Sequence, residues 1–175
     1  MTTQIGFLRA VNVGRRTVPM KRLTEIVAGL GYADVWTYIN SGNVIFDGAG
    51  ARTRHESTIG DALEAAFGFE VTTFVRSAAE LRKVLQVDPF TVEEGDTYFV
   101  TFLTAPPSSE VAAQLEAASN DFDTLKVHGR DVHWRMRGKS IDTTLGKKTW
   151  NLVGVNGSTS RNITMLRKLM AKIDG

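Results

Sequence analysis

Apolar and polar residues follow strand and helix periods in the order β-α-β-β-α-β over the first half of the chain. Residues 5–13 form a nearly continuous apolar run, which is typical of a central strand covered on both faces. Short β-rich runs at 35–39 and 44–46 flank a tight turn, and residues 71–75 supply a further strand. This order predicts a ferredoxin-like unit, in which an antiparallel sheet carries both helices on one face. The two helices are predicted from apolar stripes at helical spacing, formed by Leu23, Ile26, Val27 and Leu30 and by Ile59, Leu63, Ala66 and Phe67.

The pattern restarts in the second half. Ser77 and Glu80 form a capping box that begins a connecting helix. A strand at 97–103, a helix and two further strands follow, and then a helical segment after residue 140, a polar loop and a final helix. We therefore predict an α+β protein of two packed halves. Residues 1–87 are the ferredoxin-like half with its connecting helix, and residues 88–175 are a related βαββ unit followed by C-terminal helices.

The hairpin of the second half can be given a register. A type II′ turn at Gly129 and Arg130 pairs His128 with Asp131, and alternation then places the apolar side chains on one face. We expect the other face to be basic and solvated. It carries Lys126, His128, Asp131, His133, Arg135 and Arg137.

Composition limits the class of protein. Apolar residues make up 42% of the 175 residues, which is enough to build a core without metals or disulfides. No apolar run is long enough for a membrane span and the first ten residues lack a signal-peptide pattern, so we expect a cytoplasmic protein with no membrane partner. The absence of cysteine excludes thiol catalysis and thiolate metal sites.

The net charge of +2 is unevenly distributed along the chain. Residues 88–123 contain eight acids and no Lys or Arg, whereas residues 124–175 contain eleven Lys and Arg against three Asp. The basic end indicates an anionic partner. Alternatively, the acidic and basic segments face each other or are solvated.

Common catalytic motifs are absent. The sequence has no glycine-rich phosphate loop, no zinc-protease histidine pair and no nucleophile elbow. His128, Asp131 and His133 share a predicted face, but histidines on an exposed hairpin are more often solvated than metal-bound. We assign no metal site, and the pattern identifies no cofactor.

Three loop tips carry residues that suit an anion, because helix N-termini present unpaired N–H groups. The first, residues 12–21, holds a glycine and two arginines, although glycine and proline also suit an ordinary βα loop. The second, residues 40–43, offers amides and a hydroxyl that suit either a polar ligand or the turn itself. The third, residues 158–162, is expected to place Arg161 in the first turn of the final helix, where the dipole opposes its charge.

Several motifs, taken together, resemble a bacterial family. The chain is similar over its whole length to the family catalogued as domain of unknown function 1697, which implies two α+β subdomains with a ferredoxin-like first half and implies no reaction. Family members often have Gly-Ile where Ala10 and Val11 stand, a second glycine where Arg15 stands, and Trp where Ile163 stands. The matching motifs are Leu8-Arg9-Ala10-Val11-Asn12-Val13-Gly14, Val18-Pro19-Met20, residues 38–46, Asp88-Pro89-Phe90, Gly138-Lys139-Ser140, and residues 159–162 with Lys168 and Leu169.

These observations lead to one hypothesis and two alternatives. We hypothesise that loop amides and arginines bind an anionic ligand, which would be a nucleotide, a phosphorylated metabolite or a nucleic-acid backbone. One alternative is an enzyme of unknown type, with Asp131 or Asp142 near Ser140 as acid–base groups. The other is a homodimeric or partner-binding module that uses a sheet face with Trp36 and Tyr38. The ligand-binding candidates are Arg9, Asn12, Gly14, Arg15, Asn40, Ser41, Asn43, Ser140, Arg161 and Asn162, and a nucleic-acid face would use Lys126, Arg135, Arg137 and Lys139.

Overall fold

The structure is a computed structural model that describes residues 2–175. The chain divides into two units, and the boundary lies between Arg82 and Lys83. The division falls inside a helix, α3 (Ala78–Val87). The Ser77–Glu80 capping box forms as predicted: the Ser77 N–H donates to Glu80 Oε2 at 2.8 Å, and the Glu80 N–H donates to Ser77 Oγ at 3.1 Å. The capping box therefore fixes the start of α3.

The first unit is a four-stranded antiparallel sheet with two helices on one face. The elements are β1 (Thr2–Leu8), α1 (Met20–Gly29), β2 (Ala33–Thr37), β3 (Asn43–Gly48), α2 (Arg52–Phe67) and β4 (Thr73–Ser77). The strand order is β2-β3-β1-β4, so β1 is central, as its apolar run predicts, but the strand ends at Leu8 and residues 9–13 of that run lie in the connection to α1. Side chains from α1 and α2 pack against Leu8, Val44 and Phe46 of the sheet.

The first hairpin is looser than the sequence suggests. β2 ends at Thr37, which pairs with Val44, and residues 38–42 form the connection. Ile39, which the β-rich run placed in a strand, has a φ of 51° and is half exposed. Its backbone sits in the left-handed region, which ends the strand.

The second unit repeats this strand arrangement. The elements are β5 (Thr97–Leu103), α4 (Ser109–Ala117), β6 (Asp123–His128), β7 (Asp131–Met136), the short α5 (Lys147–Trp150), β8 (Ser158–Asn162) and α6 (Ile163–Asp174). The sheet has the order β6-β7-β5-β8, with all neighbours antiparallel. Leu115 of α4 packs against Leu125, Val132 and Trp134 on one face of the sheet.

The structure differs from the sequence prediction for residues 158–162, which form β8. Residues 158–162 were expected to be a loop and the start of a helix, but they pair with β5, and Arg161 lies opposite Val100. Arg161 is therefore in a strand, and the argument from the helix dipole does not apply to it. Asn162 is the N-cap of α6, and its Oδ1 accepts the Thr164 N–H at 2.8 Å.

The second hairpin has the predicted register, with His128 opposite Asp131 and Leu125 opposite Trp134. Gly129 has a φ of 62°, as the first central position of a type II′ turn requires. The expectation that the polar face is solvated is confirmed for Lys126, His128 and Arg137, which are exposed. It is wrong for His133, which has no exposed surface, and for Asp131, which is 7% exposed. Alternation identified the face, but it carries no information on what covers that face.

The two units match strand by strand. Ile5 pairs with Ile45 and Arg76 in the first sheet, and Val100 pairs with His133 and Arg161 in the second. The connections differ. The β1–α1 connection has eleven residues and the β2–β3 connection has five, whereas the β5–α4 connection has five and the β6–β7 connection has two. The first unit therefore has the longer loops at both of these connections.

Candidate functional site

The two long connections of the first unit are joined to each other. We call residues 9–19 and 38–42 the loop pair. The Leu8 N–H donates to the Gly42 carbonyl at 2.9 Å, and Asn12 Nδ2 donates to the Asn40 carbonyl at 2.7 Å. The sequence-predicted residues Arg9, Asn12, Gly14 and Arg15 lie on one loop, and Asn40 and Ser41 lie on the other. Both sets therefore belong to one connected surface.

Asn12 uses both ends of its side-chain amide to hold the loop pair. Its side-chain Oδ1 accepts the Val18 N–H at 2.9 Å, and its backbone N–H donates to the Arg16 carbonyl at 2.7 Å. Its φ of 57° is a left-handed conformation that asparagine tolerates better than most residues. Asn12 therefore positions the loops and has little capacity left for a ligand.

The three arginines of the first loop have different surroundings. Arg16 stacks on the ring of Phe69 at 4.6 Å and donates from Nε to the Ala10 carbonyl at 3.0 Å and from Nη2 to the Glu70 carbonyl. Arg9 is partly buried, and its Nε is inaccessible and has no hydrogen-bond partner within residues 2–175. Arg15 is exposed. Arg16 is thus part of the loop structure, whereas Arg9 and Arg15 are available to a ligand.

The tip of the first hairpin likewise contains both residues that hold the loop structure and residues that are exposed. Asn43 is fully buried and donates from Nδ2 to the Tyr38 carbonyl at 2.9 Å and to Ser41 Oγ at 3.0 Å. Gly42 has a φ of 85°, and a Cβ there would lie 2.5 Å from a methyl group of Val11. Asn40 and Ser41 are exposed. Asn43 and Gly42 therefore shape the tip, which presents Asn40 and Ser41.

The remaining candidates differ in their exposure to solvent. Ser140 and Asp142 are exposed at the two ends of a short 3₁₀ turn, and Gly14 is exposed in the first loop. Trp36 and Tyr38 are partly buried. Burial lowers the pKa of Arg161 to about 10, which still leaves it charged at neutral pH, and its Nη1 donates to Thr159 Oγ1 at 2.8 Å.

The predicted nucleic-acid face is only partly open. Arg137 pairs with Asp96 at 2.8 Å and with Glu93 at 3.4 Å, so this part of the basic segment meets the acidic segment of the same chain. Lys126 and Arg135 both lie over the ring of Phe90, at 5.5 and 5.4 Å from its centroid. Lys139 is exposed.

Two tyrosine–histidine pairs, each with a buried histidine, were not found by sequence reasoning. Tyr32 Oη and His55 Nδ1 are 2.7 Å apart in the first unit, and Tyr98 Oη and His133 Nδ1 are 2.5 Å apart in the second. Burial, with the nearby charges of Arg54 and His128 respectively, lowers the pKa of His55 and lowers the pKa of His133 to about 4. Burial also raises the pKa of both tyrosines, so all four side chains are neutral at pH 7. No signal in a single sequence separates these histidines from solvated ones.

Residues 2–175 contain neither a metal-binding cluster nor a membrane-spanning helix. No group of three or more His, Asp or Glu side chains is arranged to hold a metal ion. None of the helices in that range combines the length and apolar character that a bilayer crossing needs.

The fold and the loop pair define an α+β protein with two similarly ordered four-stranded antiparallel sheets. The chain belongs to the DUF1697 family, described as a protein of unknown function, whose pattern matches residues 1–133. It is similar in structure to the conserved bacterial protein SP0830 from Streptococcus pneumoniae, with a TM-score of 0.74 and 17% identity over 100% of this chain and 99% of that one. No curated protein matches the sequence. Membership of this family assigns no reaction to the chain.

Proposed function

We propose that the first unit binds an anionic small molecule at the loop pair, with the ligand anion held by the guanidinium of Arg9. The observation that carries this proposal is the buried and unpartnered Arg9 Nε. A buried donor without an acceptor costs about 1–3 kcal/mol, and an anion would recover that cost.

The second unit serves as an internal comparison. The position that corresponds to Arg9 after the central strand is Thr104, in a connection of only five residues. The same strand arrangement therefore forms without the long loops, without the arginines and without Asn12. Loops longer than the fold requires are where binding residues are most often found, which supports a ligand-binding role for the loop pair.

The ligand we propose carries a phosphate or a carboxylate. Arg15 adds a second, exposed positive charge, and the amide of Asn40 and the hydroxyl of Ser41 supply neutral polar groups. Because Arg16 and Asn12 already hold the loops in place, the site loses little conformational entropy on binding.

The test is isothermal titration of the full chain with inorganic phosphate and, separately, with adenosine monophosphate. Arg9→Gln should weaken binding at least about tenfold, the loss of one charge-assisted hydrogen bond. Arg54→Gln removes an exposed positive charge from α2 of the same unit and should bind like the wild type. If Arg9→Gln and Arg54→Gln behave alike, the loop pair is not an anion site.

We also infer that both halves are ferredoxin-like. Support comes from the central position of the first strand of each half and from the neighbours it has in its sheet. In the first half, both helices lie on one face, as that fold requires.

A further inference from the structure

A second group of cationic and polar side chains lies on one face of the second sheet. We call Phe90, Tyr98, Lys126, His133 and Arg135 the β7 cluster. Lys126 lies directly opposite His133 across the β6–β7 pair, and Arg135 is two residues further along β7 on the same face. Tyr98 lies opposite Arg135 on β5 and reaches His133 with its hydroxyl. The register thus brings three nitrogen-bearing side chains to one patch.

Two nitrogens of the β7 cluster are buried without a partner. His133 Nε2 and Arg135 Nε are inaccessible and make no hydrogen bond within the described chain. Tyr98 Oη and His133 Nδ1 share one hydrogen bond, and we assign the phenol as its donor, which places the ring proton on Nε2 and makes Nε2 a donor. The Arg135 Nε–H is also a hydrogen-bond donor. Two buried donors on adjacent same-face positions of one strand call for a shared acceptor.

The charges of the β7 cluster indicate what kind of acceptor this is. Lys126 and Arg135 are held near the same aromatic ring, and neither makes an ion pair among residues 2–175. Their hydrogen bonds go to neutral oxygens, the Pro89 carbonyl at 3.4 Å for Lys126 and Thr124 Oγ1 at 2.8 Å for Arg135. Arg137, the next basic residue on this face, has two acidic partners. Two neighbouring cations without an acid repel each other, and an anion between them removes that repulsion.

We propose that the β7 cluster binds a small oxyanion, a carboxylate or a phosphate group, through His133 Nε2, Arg135 Nε and Lys126 Nζ. Asp131 lies two residues before His133 on the same face. Asp88, which pairs with Arg167 at 3.6 Å, is close enough that its charge partly offsets the lowering of the His133 pKa by burial and adds to the raising of the Tyr98 pKa by burial. The site therefore has acidic neighbours that limit the charge of the ligand it accepts. A small oxyanion suits these positions better than a nucleic-acid backbone, because His133 is fully buried and Arg137 is neutralised. This site is distinct from the loop pair and does not depend on it.

The experiment is NMR of the full chain, following the histidine ring nitrogens and the arginine Nε–H groups during titration with inorganic phosphate or with acetate. We expect the His133 Nε2 and Arg135 Nε signals to move together in the millimolar range. His55 is the control within the molecule, because it has the same tyrosine partner and the same unpartnered Nε2 but no pair of cations, and its signals should stay in place. Movement with acetate identifies a carboxylate site, and movement with phosphate alone identifies a phosphate site.

Variants complete the test. Lys126→Met removes a cation from an exposed residue and should weaken binding at least about tenfold, whereas Lys168→Met removes one from the exposed side of α6 and should not. Arg135→Lys keeps the charge but removes Nε and should also weaken binding. The proposal is overturned if neither anion moves the signals, because water would then satisfy both donors. It is also overturned if Lys126→Met and Lys168→Met bind equally well.

Discussion

Acid should destabilise the protein through His133. This side chain is neutral in the folded protein because burial lowers its pKa from 6.5 to about 4. In the unfolded chain it takes up a proton near pH 6.5, so protons favour the unfolded state between these two values. The stabilisation by neutral His133 is fully present above pH 6.5 and is lost as the pH falls to 4. The difference of about 2.5 pKa units corresponds to at most about 3 kcal/mol.

The assay is urea unfolding at half-unit intervals from pH 4 to pH 8, at constant ionic strength. Replacement of His133 by Gln removes the titrating group, so the pH slope of the unfolding free energy should decrease by up to about 1.4 kcal/mol per pH unit within that window. His128→Gln removes an exposed imidazole from the same hairpin and should keep most of the slope. The reasoning fails if wild type and His133→Gln lose stability in parallel between pH 6.5 and pH 4. His55 adds to the slope in the same direction and remains present in both proteins.

Three further substitutions test the packing described above. Gly42→Ala should cost about 2–4 kcal/mol in thermal or urea unfolding, because the new Cβ meets Val11 and the left-handed backbone disfavours it; Gly50→Ala, left-handed but in open space, is the control and should cost less. Asp123→Asn should cost about 2 kcal/mol, since the buried carboxylate accepts hydrogen bonds from Trp134 Nε1 and from the loop after β7; an unchanged midpoint would contradict that role. Ser77→Ala should cost about 1 kcal/mol by removing the cap of α3, as measured by urea unfolding, and no loss would mean that the capping box contributes nothing.

The sequence predicts best where local chemistry determines geometry. The two-residue turn at Gly129 and Arg130 fixes the register of the two strands that it joins, so every cross-strand pair of the second hairpin could be predicted from the sequence. The Ser77–Glu80 capping box is local in the same way. The four-residue tip of the first hairpin permits several turn geometries, and there the strand ended two residues earlier than the β-rich run indicated.

Long-range packing explains what could not be predicted. β8 is polar along its whole length (Ser-Thr-Ser-Arg-Asn), so it lacks the alternation that marks a strand, and its place beside β5 is set by the sheet. One signal could have found it. Arg76 is the fourth residue of β4 and precedes a helix cap, and Arg161 has the same place in β8, so the two Arg-cap-helix segments repeat. For the candidate site, the sequence identified the loop-tip residues but could not separate Asn12 and Asn43, which hold the loops, from Arg9, which has an unpartnered nitrogen.

The matching registers of the two sheets let each unit serve as a control for the other. The positions of Lys126, His133 and Arg135 in the second sheet are those of Trp36, Ile45 and Asp47 in the first. In the first sheet this set contains no cation, and its one charged group, Asp47, accepts the Thr3 hydroxyl at 2.8 Å, where Thr3 takes the place of Tyr98. The strand arrangement therefore forms without cations at these three positions, just as it forms without long loops after its central strand. Residues that the fold does not need, and whose buried polar atoms stay unpartnered, support the two proposed ligand sites. The loop pair and the β7 cluster each meet both conditions, and they do so in opposite halves of the chain.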